Sequence, residues 1–266
     1  MSILENKMVL QIVNLIALIL TILINVLANA IPIGGKNTGE LSDALPNLFV
    51  PAGLTFSIWF VIYLLLTIFA IYQARDLISP EKQNMPFLYR ISYIFLLSSI
   101  ANIVWIFLWH YQQVLFSLFL MVVLFLSLLA IYLRLDIGRA EVPRNEKLFV
   151  HVPFSVYIGW ITVATIANVT AFLVSINWDG FGIPEEIWTI IVIAVAVIIT
   201  LAMLFTRKDI AYSLVVVWAS IGIVIKQITG AILVATTAAI GAVIISIGII
   251  VIATPIIYNW YKETSS

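Results

Sequence analysis

The chain has 266 residues, of which 63% are hydrophobic and 10% charged, and its formal net charge is zero. Soluble domains carry about a quarter charged residues, so this chain cannot cover a water-facing surface and its main solvent must be lipid. A neutral chain gives no electrostatic case for a nucleic-acid partner, and the absence of cysteine excludes disulfides, thiolate metal sites and cysteine catalysis.

Apolar stretches long enough to span a bilayer fall near 8–30, 52–74, 90–110, 113–133, 149–175, 186–206, 210–226 and 232–258. They predict an all-α, polytopic transmembrane bundle of about eight helices. The first stretch ends in Ala28-Asn29-Ala30, the small-x-small form of a cleavage site. Its length of ~20 residues exceeds the roughly 7–15 of a signal-peptide core, and Glu5 stands with Lys7 at its head, so it reads as a retained span. The loop that follows, IPIGGKNTGELSDALPNLFVPAG, is long and rich in Gly and Pro. A loop of that length is either a lid or a plain connector. LDIGRAEVPRNEK, between the fourth and fifth spans, reads as a solvated turn. ITGAILVATTAAIG can close the seventh helix, form a loop or open the eighth.

Charge gives the topology. With the N-terminus inside, every basic residue except Lys36 and Lys226 falls on the inner side, while the loop after the fifth span carries Asp179, Glu185 and Glu186 and no base. Basic residues are retained in the cytoplasm, so both termini are expected there and the number of spans is expected to be even. Read as a bacterial or archaeal chain, the protein belongs in the inner membrane as a multi-pass protein. Composition shifts near 176, from spans rich in aromatic and amide residues to spans rich in Ile, Val and Ala. Two parts, 1–175 and 176–266, are drawn there.

Four of the first five spans carry a polar or aromatic stripe at helical spacing. The first has Asn14, Thr21, Asn25 and Asn29. The second has Phe56, Trp59 and Tyr63, just after Pro51. The third has Ser98, Asn102, Trp105 and Trp109. The fifth has Pro153, Tyr157, Trp160 and Asn168, with the small Ala164 between the last two. Amides are costly against lipid, so these faces are expected to look inward, where the amides bond one another or a ligand. Trp59 and Trp160 sit too deep to be interface anchors, whereas Trp109, Trp178, Trp188, Trp260 and Tyr261 lie near helix ends and fit that role. A cavity in the outer half of the bundle, beneath the first loop, is the expectation.

Other chemistry is thin. No charge falls in the central part of any span, so an ion path is not marked, and Lys226 reads as a snorkelling residue at a helix end. His110 and His151 lie at opposite ends of their helices and cannot share a metal. Gly-Gly-Lys at 34–36 lacks the pattern of a phosphate loop, and no nucleophile–base set appears. No cofactor, no metal and no enzyme activity are read from the residues.

Three collinear stretches resemble the TspO/MBR family, the tryptophan-rich sensory and translocator proteins. VPAGLTFSIWFVIY resembles the family's Pro-Pro start followed by Trp and Tyr, carried here by Pro51, Trp59 and Tyr63. IANIVWIFLWH resembles its Leu-Asn-x-x-Trp segment, with Asn102 and Trp105. VYIGWITVATIAN resembles its Pro-Tyr-x-x-Trp…Asn segment, with Tyr157, Trp160 and Asn168. The resemblance covers about 1–175. Val50 stands for the first proline of the pair, Val156 for the proline before Tyr157, and the spans of 176–266 have no counterpart in the five-helix proteins.

The resemblance implies a five-helix unit with a ligand pocket under the first loop, porphyrin or haem as ligand, and a homodimer as a frequent state. It also implies a sensory or transport role, porphyrin breakdown being the enzymatic variant. The site residues expected on this reading are Asn25, Pro51, Trp59, Tyr63, Asn102, Trp105, Tyr157, Trp160 and Asn168, with the lipid bilayer and a hydrophobic small molecule as partners. Two other functions fit the sequence. One is a secondary transporter of another small molecule, although no inverted repeat or paired broken helices are visible. The other is a scaffold whose last three spans dock a partner through small residues such as Ala219, Gly222, Gly230, Gly241 and Gly248.

Overall fold

The computed structural model describes residues 6–31, 33–45 and 47–265 and shows helices, with no strands among the described residues. In chain order they are α1 (Lys7–Ala30), α2 (Thr38–Asp43), α3 (Ile58–Ala74), α4 (Pro86–Ile91), α5 (Ile94–His110) and α6 (Val114–Arg134). Then come α7 (Arg144–Glu146), α8 (Val152–Ser175), α9 (Glu185–Arg207), α10 (Ile210–Gln227) and α11 (Ile232–Ser265). Among the described residues, seven helical stretches are long and apolar enough to cross a membrane: α1, Gly53–Ala74, α6, Arg144–Ser175, α9, α10 and Ile232–Pro255. The third expected span is the exception: α5 has 17 residues, against the ~20 that a ~30 Å core asks for. Ser92, at φ 50°, separates it from α4, so 86–110 is one broken helix rather than one straight span. The protein is an all-α, polytopic membrane bundle.

Helix starts follow the local chemistry. Asn6 caps α1 by accepting from the Met8 N–H, and Asn37 and Glu40 form a capping box on α2. Asp209 caps α10 through the Tyr212 N–H. The stretch ITGAILVATTAAIG divides at a turn after Gln227, and its larger part opens α11. Pro255 lies inside α11 and does not end it. The side chains of the expected anchors Trp260 and Tyr261 lie outside the described residues.

Long-range bonds show successive long helices alternating in direction. Lys7, Asp76 and Gln83 meet at one end, whereas Asn29 and Trp109 both bond Thr38 at the other. Lys226 reaches Asp43 at that loop end, 2.6 Å away, so it is paired rather than left to snorkel. Arg207 bonds Asp136 and the Ile137 carbonyl at the opposite end.

α1 and α3 are joined only far from the first loop. There the Gln11 amide donates to the Gln73 carbonyl and Asp76, and Gln73 answers with a 3.0 Å bond to the Gln11 carbonyl. Asn14 donates to the Gln73 side chain. Toward the loop no hydrogen bond links the two helices among the described residues, and a cavity opens between them.

α10 braces the start of α3. The Ala52 N–H donates to the Gly222 carbonyl at 3.0 Å, and the Trp218 indole donates to the Thr55 carbonyl at 3.0 Å. A Cβ on Gly222 would lie 2.0 Å from Thr55 Oγ1 and 2.8 Å from Pro51 Cβ, so only glycine permits this approach. Gly241 and Gly248 likewise face Val197 and Leu204 of α9, and Ala219 is buried. These small residues serve the protein's own packing.

Two outcomes test this frame. Gly222→Ala is expected to cost about 1–3 kcal/mol by overpacking and to lower the melting temperature in detergent. Gly230→Ala, where a Cβ meets only Gln227 Oε1 at 3.8 Å, is expected to leave it unchanged. The second test concerns Asp76. Burial alone would raise its carboxyl, but the Lys7 ammonium, Gln11 and the Gln83 N–H outweigh it and hold the pKa far below the usual carboxylate range. A depressed folded-state pKa stabilises above the unfolded value, roughly 3.9, and the gain is lost as pH falls through the folded value. Asp76→Asn is therefore expected to melt lower than wild type at pH 7, with the two melting curves converging as the pH falls below about 4.

Candidate functional site beneath the first loop

α3 carries Trp59 into the middle of the bundle, and four rings surround it. Tyr63, one turn on, stacks at 5.5 Å and 23°. Trp105 of α5 lies at 6.3 Å, and Tyr157 and Trp160 of α8 meet it edge-on at 6.2 and 6.3 Å. Phe56 meets Trp160 edge-on at 5.8 Å, and Trp109 stacks on Trp105 at 6.1 Å. Edge-to-face and offset pairs at 4.5–7 Å are the favourable ring geometries, each worth about 0.5–1.5 kcal/mol beyond area burial. Trp109 is thus a buried member of the cluster, its indole donating to the Thr38 carbonyl, and not an interface anchor. Of its two sequence cues, the stripe shared with Asn102 and Trp105 pointed inward and the position near a helix end pointed to the interface; the first loop covers it and the stripe prevails.

The amides are engaged with one another. Asn25 Nδ2 donates to Asn102 Oδ1 at 2.7 Å and to the Thr21 carbonyl at 2.9 Å. Asn102 Nδ2 donates in turn to the Tyr157 hydroxyl at 3.1 Å. Asn168 accepts from Ser117 of α6 at 3.2 Å, a partner that no stripe on the first five spans had suggested. Asn102 and Tyr157 line neither of the two spaces around Trp59 and hold the cluster from below.

Those spaces differ greatly in size. The larger, about 760 Å³, lies between α1, α3 and α2, with Asn25, Asn29, Thr38, Phe56, Trp59 and Tyr63 among its lining. Phe60, Val26 and Leu64 also line it and are exposed on the flank of the bundle, so its mouth faces sideways. The smaller, about 30 Å³, is bounded by Pro51, Trp105, Trp109, Trp160, Ala164 and Asn168. Trp59, Phe56 and Thr38 line both, so Trp59 is a partition between them. Space predicted beside Ala164 is thus nearly filled by rings, and the roomy cavity lies on the α1 side. Thr38, Gly39 and Glu40 reach it from α2, a short helix that no hydrophobic period marks.

Around the partition, buried donors lack partners. The Trp105 and Trp160 indole nitrogens and the Thr38 hydroxyl make no hydrogen bond, and the Tyr63 hydroxyl, near the Asn102 amide, makes none of acceptable geometry. A buried polar group left unpaired costs about 1–3 kcal/mol, and native structures hold few. The unpaired groups here are all able to donate. Among the described residues no group of His, Asp and Glu is placed to hold a metal ion.

A membrane-spanning helical bundle with a tryptophan-walled pocket under its first loop is the class these features define. A family model described as TSPO-like protein matches residues 11–251. The chain belongs to that family, and the match runs through the added helices as well as the first five. Searches of curated proteins and of solved structures found no match.

The hydrogen-bond pattern separates two tyrosines of similar depth. Tyr157→Phe removes the acceptor for Asn102 and is expected to cost about 0.5–1.5 kcal/mol. Tyr63→Phe removes a hydroxyl with no partner and is expected to leave the melting temperature of the ligand-free protein unchanged. Thermal melts of the two variants side by side check the difference.

Proposed function

We propose that this membrane protein of TspO type is a receptor or carrier that binds a flat hydrophobic ligand, of the porphyrin class, in the cavity between α1, α2 and α3. The observation that carries the reading is the position of Trp59, a single ring shared by a large cavity and a nearly closed, donor-lined pocket. A volume of about 760 Å³ suits a ligand of that size, since small-molecule pockets run to about 300–1,000 Å³. The sideways mouth, with Phe60 73% exposed, suits a ligand that arrives through the hydrocarbon. The unpaired Thr38 and Tyr63 hydroxyls suit acceptor atoms on the ligand's edge. Pro51 fixes the entry to α3 beside Gly222, and Asn25, Asn102 and Asn168 position the aromatic side chains around the ligand. With no acid–base pair poised over the cavity, the role is binding for sensing or transport rather than catalysis.

The test is titration of the detergent-purified protein with protoporphyrin, read by quenching of tryptophan fluorescence. Saturable quenching is expected, with affinity weakened about 3- to 10-fold by Trp59→Phe and by Tyr63→Leu, the loss of one ring contact each in the cavity wall. Trp178→Phe, outside both spaces, is expected to bind as wild type. Quenching that never saturates, or that ignores the first two changes, overturns the proposal.

A further inference from the structure

A separate cavity of about 340 Å³ lies at the loop end of the bundle, between the end of α8, the 176–184 connection and the start of α9. It shares no lining residue with the two spaces around Trp59. Part of its lining is apolar, with Phe49, Leu173, Val174 and Val192. Trp178 and Trp188 also line it, their rings 5.4 Å apart and inclined at 50°.

The groups left open on this cavity's wall differ from those of the central one, where the Thr38 and Tyr63 hydroxyls are unpaired and Asp43 is paired with Lys226. Apart from the Trp178 indole, its side-chain donors are engaged internally: the Trp188 indole donates to the Gly180 carbonyl at 2.9 Å, Thr170 to Asn47 at 3.2 Å, Thr189 to the Glu185 carbonyl at 2.9 Å, and Asn47 to the Leu45 carbonyl at 3.1 Å. With its N–H so held, Trp188 offers the cavity its ring surface. What remains open is negative. Asp179 accepts from the Phe181 N–H with one oxygen and Glu185 from the Leu48 N–H with one oxygen, and the other oxygen of each takes no hydrogen bond. No Lys, Arg or His lines the cavity, and Lys226, at the same end, is paired with Asp43.

Two carboxylates alone would be a solvated rim. Set on an apolar cavity beside an inclined pair of indoles, they complete the two elements that recognise an organic cation, a counter-charge and aromatic faces. We infer that this cavity binds an organic ammonium group bearing an apolar segment. Asp179 and Glu185 hold the charge, Trp178 and Trp188 contact the head, and Phe49, Leu173 and Val192 take the apolar part. The cation can be a free solute or the choline head of a lipid. The site is independent of ligand binding around Trp59.

The experiment is calorimetric titration of the full chain in an uncharged sugar detergent with benzyltrimethylammonium, against benzylsulfonate as the anion with the same ring. Saturable binding of the cation alone is expected, weakened about tenfold or more by Asp179→Asn with Glu185→Gln. Those amides retain the acceptors for Phe181 and Leu48 and so keep the fold. Trp178→Leu, which leaves every carboxylate in place, is expected to weaken the cation as well, and Glu81→Gln, in the loop at the far end, to change nothing. Doping the micelles with phosphatidylcholine or with diacylglycerol of the same chains separates the sources. Competition by the first alone identifies the lipid head, and equal binding in both identifies a free cation. Binding of the anion as tight as that of the cation, or cation affinity untouched by both the carboxylate and the Trp178 changes, overturns the inference.

Discussion

Inside a bilayer, a polar group without a partner has no water to turn to, and that constraint orders this bundle. Among its deep polar side chains, amides and hydroxyls close on one another: Gln11 with Gln73, Asn25 with Asn102, Asn102 with Tyr157, Asn168 with Ser117. Each bond ties two helices at one depth, so together they fix the rotation of α1, α3, α5 and α8 about their axes. Rotation in turn decides where the rings point. Trp59 meets Trp105, Tyr157 and Trp160 because the amides beneath have already aligned their faces.

The exceptions gain meaning from the same constraint. Where most buried groups are paired, Trp105, Trp160, Thr38 and Tyr63 stand out because they surround one ring and can all donate. α10 keeps this region in place from the far side of Pro51. Its Gly222 lets the backbone approach Ala52 to hydrogen-bond distance, and its Trp218 holds Thr55. Pro51 and the turn before Trp59 are therefore gripped from behind, while the opposite side of Trp59 looks into open space.

The helix faces were legible because their cause is local. Spacing along one helix put Trp59 with Tyr63, Asn102 with Trp105 and Tyr157 with Trp160, and those sets did come together. The broken third span was not legible, since Ser92 carries no sequence mark of a left-handed backbone. Trp109 and Lys226 were misread for one reason: their partners, Thr38 and Asp43, belong to α2, which only tertiary structure folds over the bundle. The near-filling of the space beside Ala164 depends on how four rings from three helices interlock. Gly222 left two readings open, a partner or the protein's own bundle, because a small residue on a helix marks close approach without naming what approaches; here it is Thr55 and Pro51.

Two cavities at one end of a bundle, with different groups left unpaired, imply sorting by ligand chemistry. The central space leaves the Thr38 and Tyr63 hydroxyls unpaired, whereas of its two lining carboxylates Asp43 is paired with Lys226 and Glu40 accepts from the Asn37 N–H, so it favours neutral or acceptor-bearing molecules delivered through its lipid-level mouth. The space beneath Trp178 offers carboxylates at the rim and engaged donors within, so the same molecules meet repulsion there. A like-charge juxtaposition rejects a wrong ligand as effectively as a good contact selects the right one. The first loop touches both: its α2 lines the central cavity, and its Asn47 and Phe49 line the other. The loop thus builds part of the wall of each site, with no residue common to the two linings.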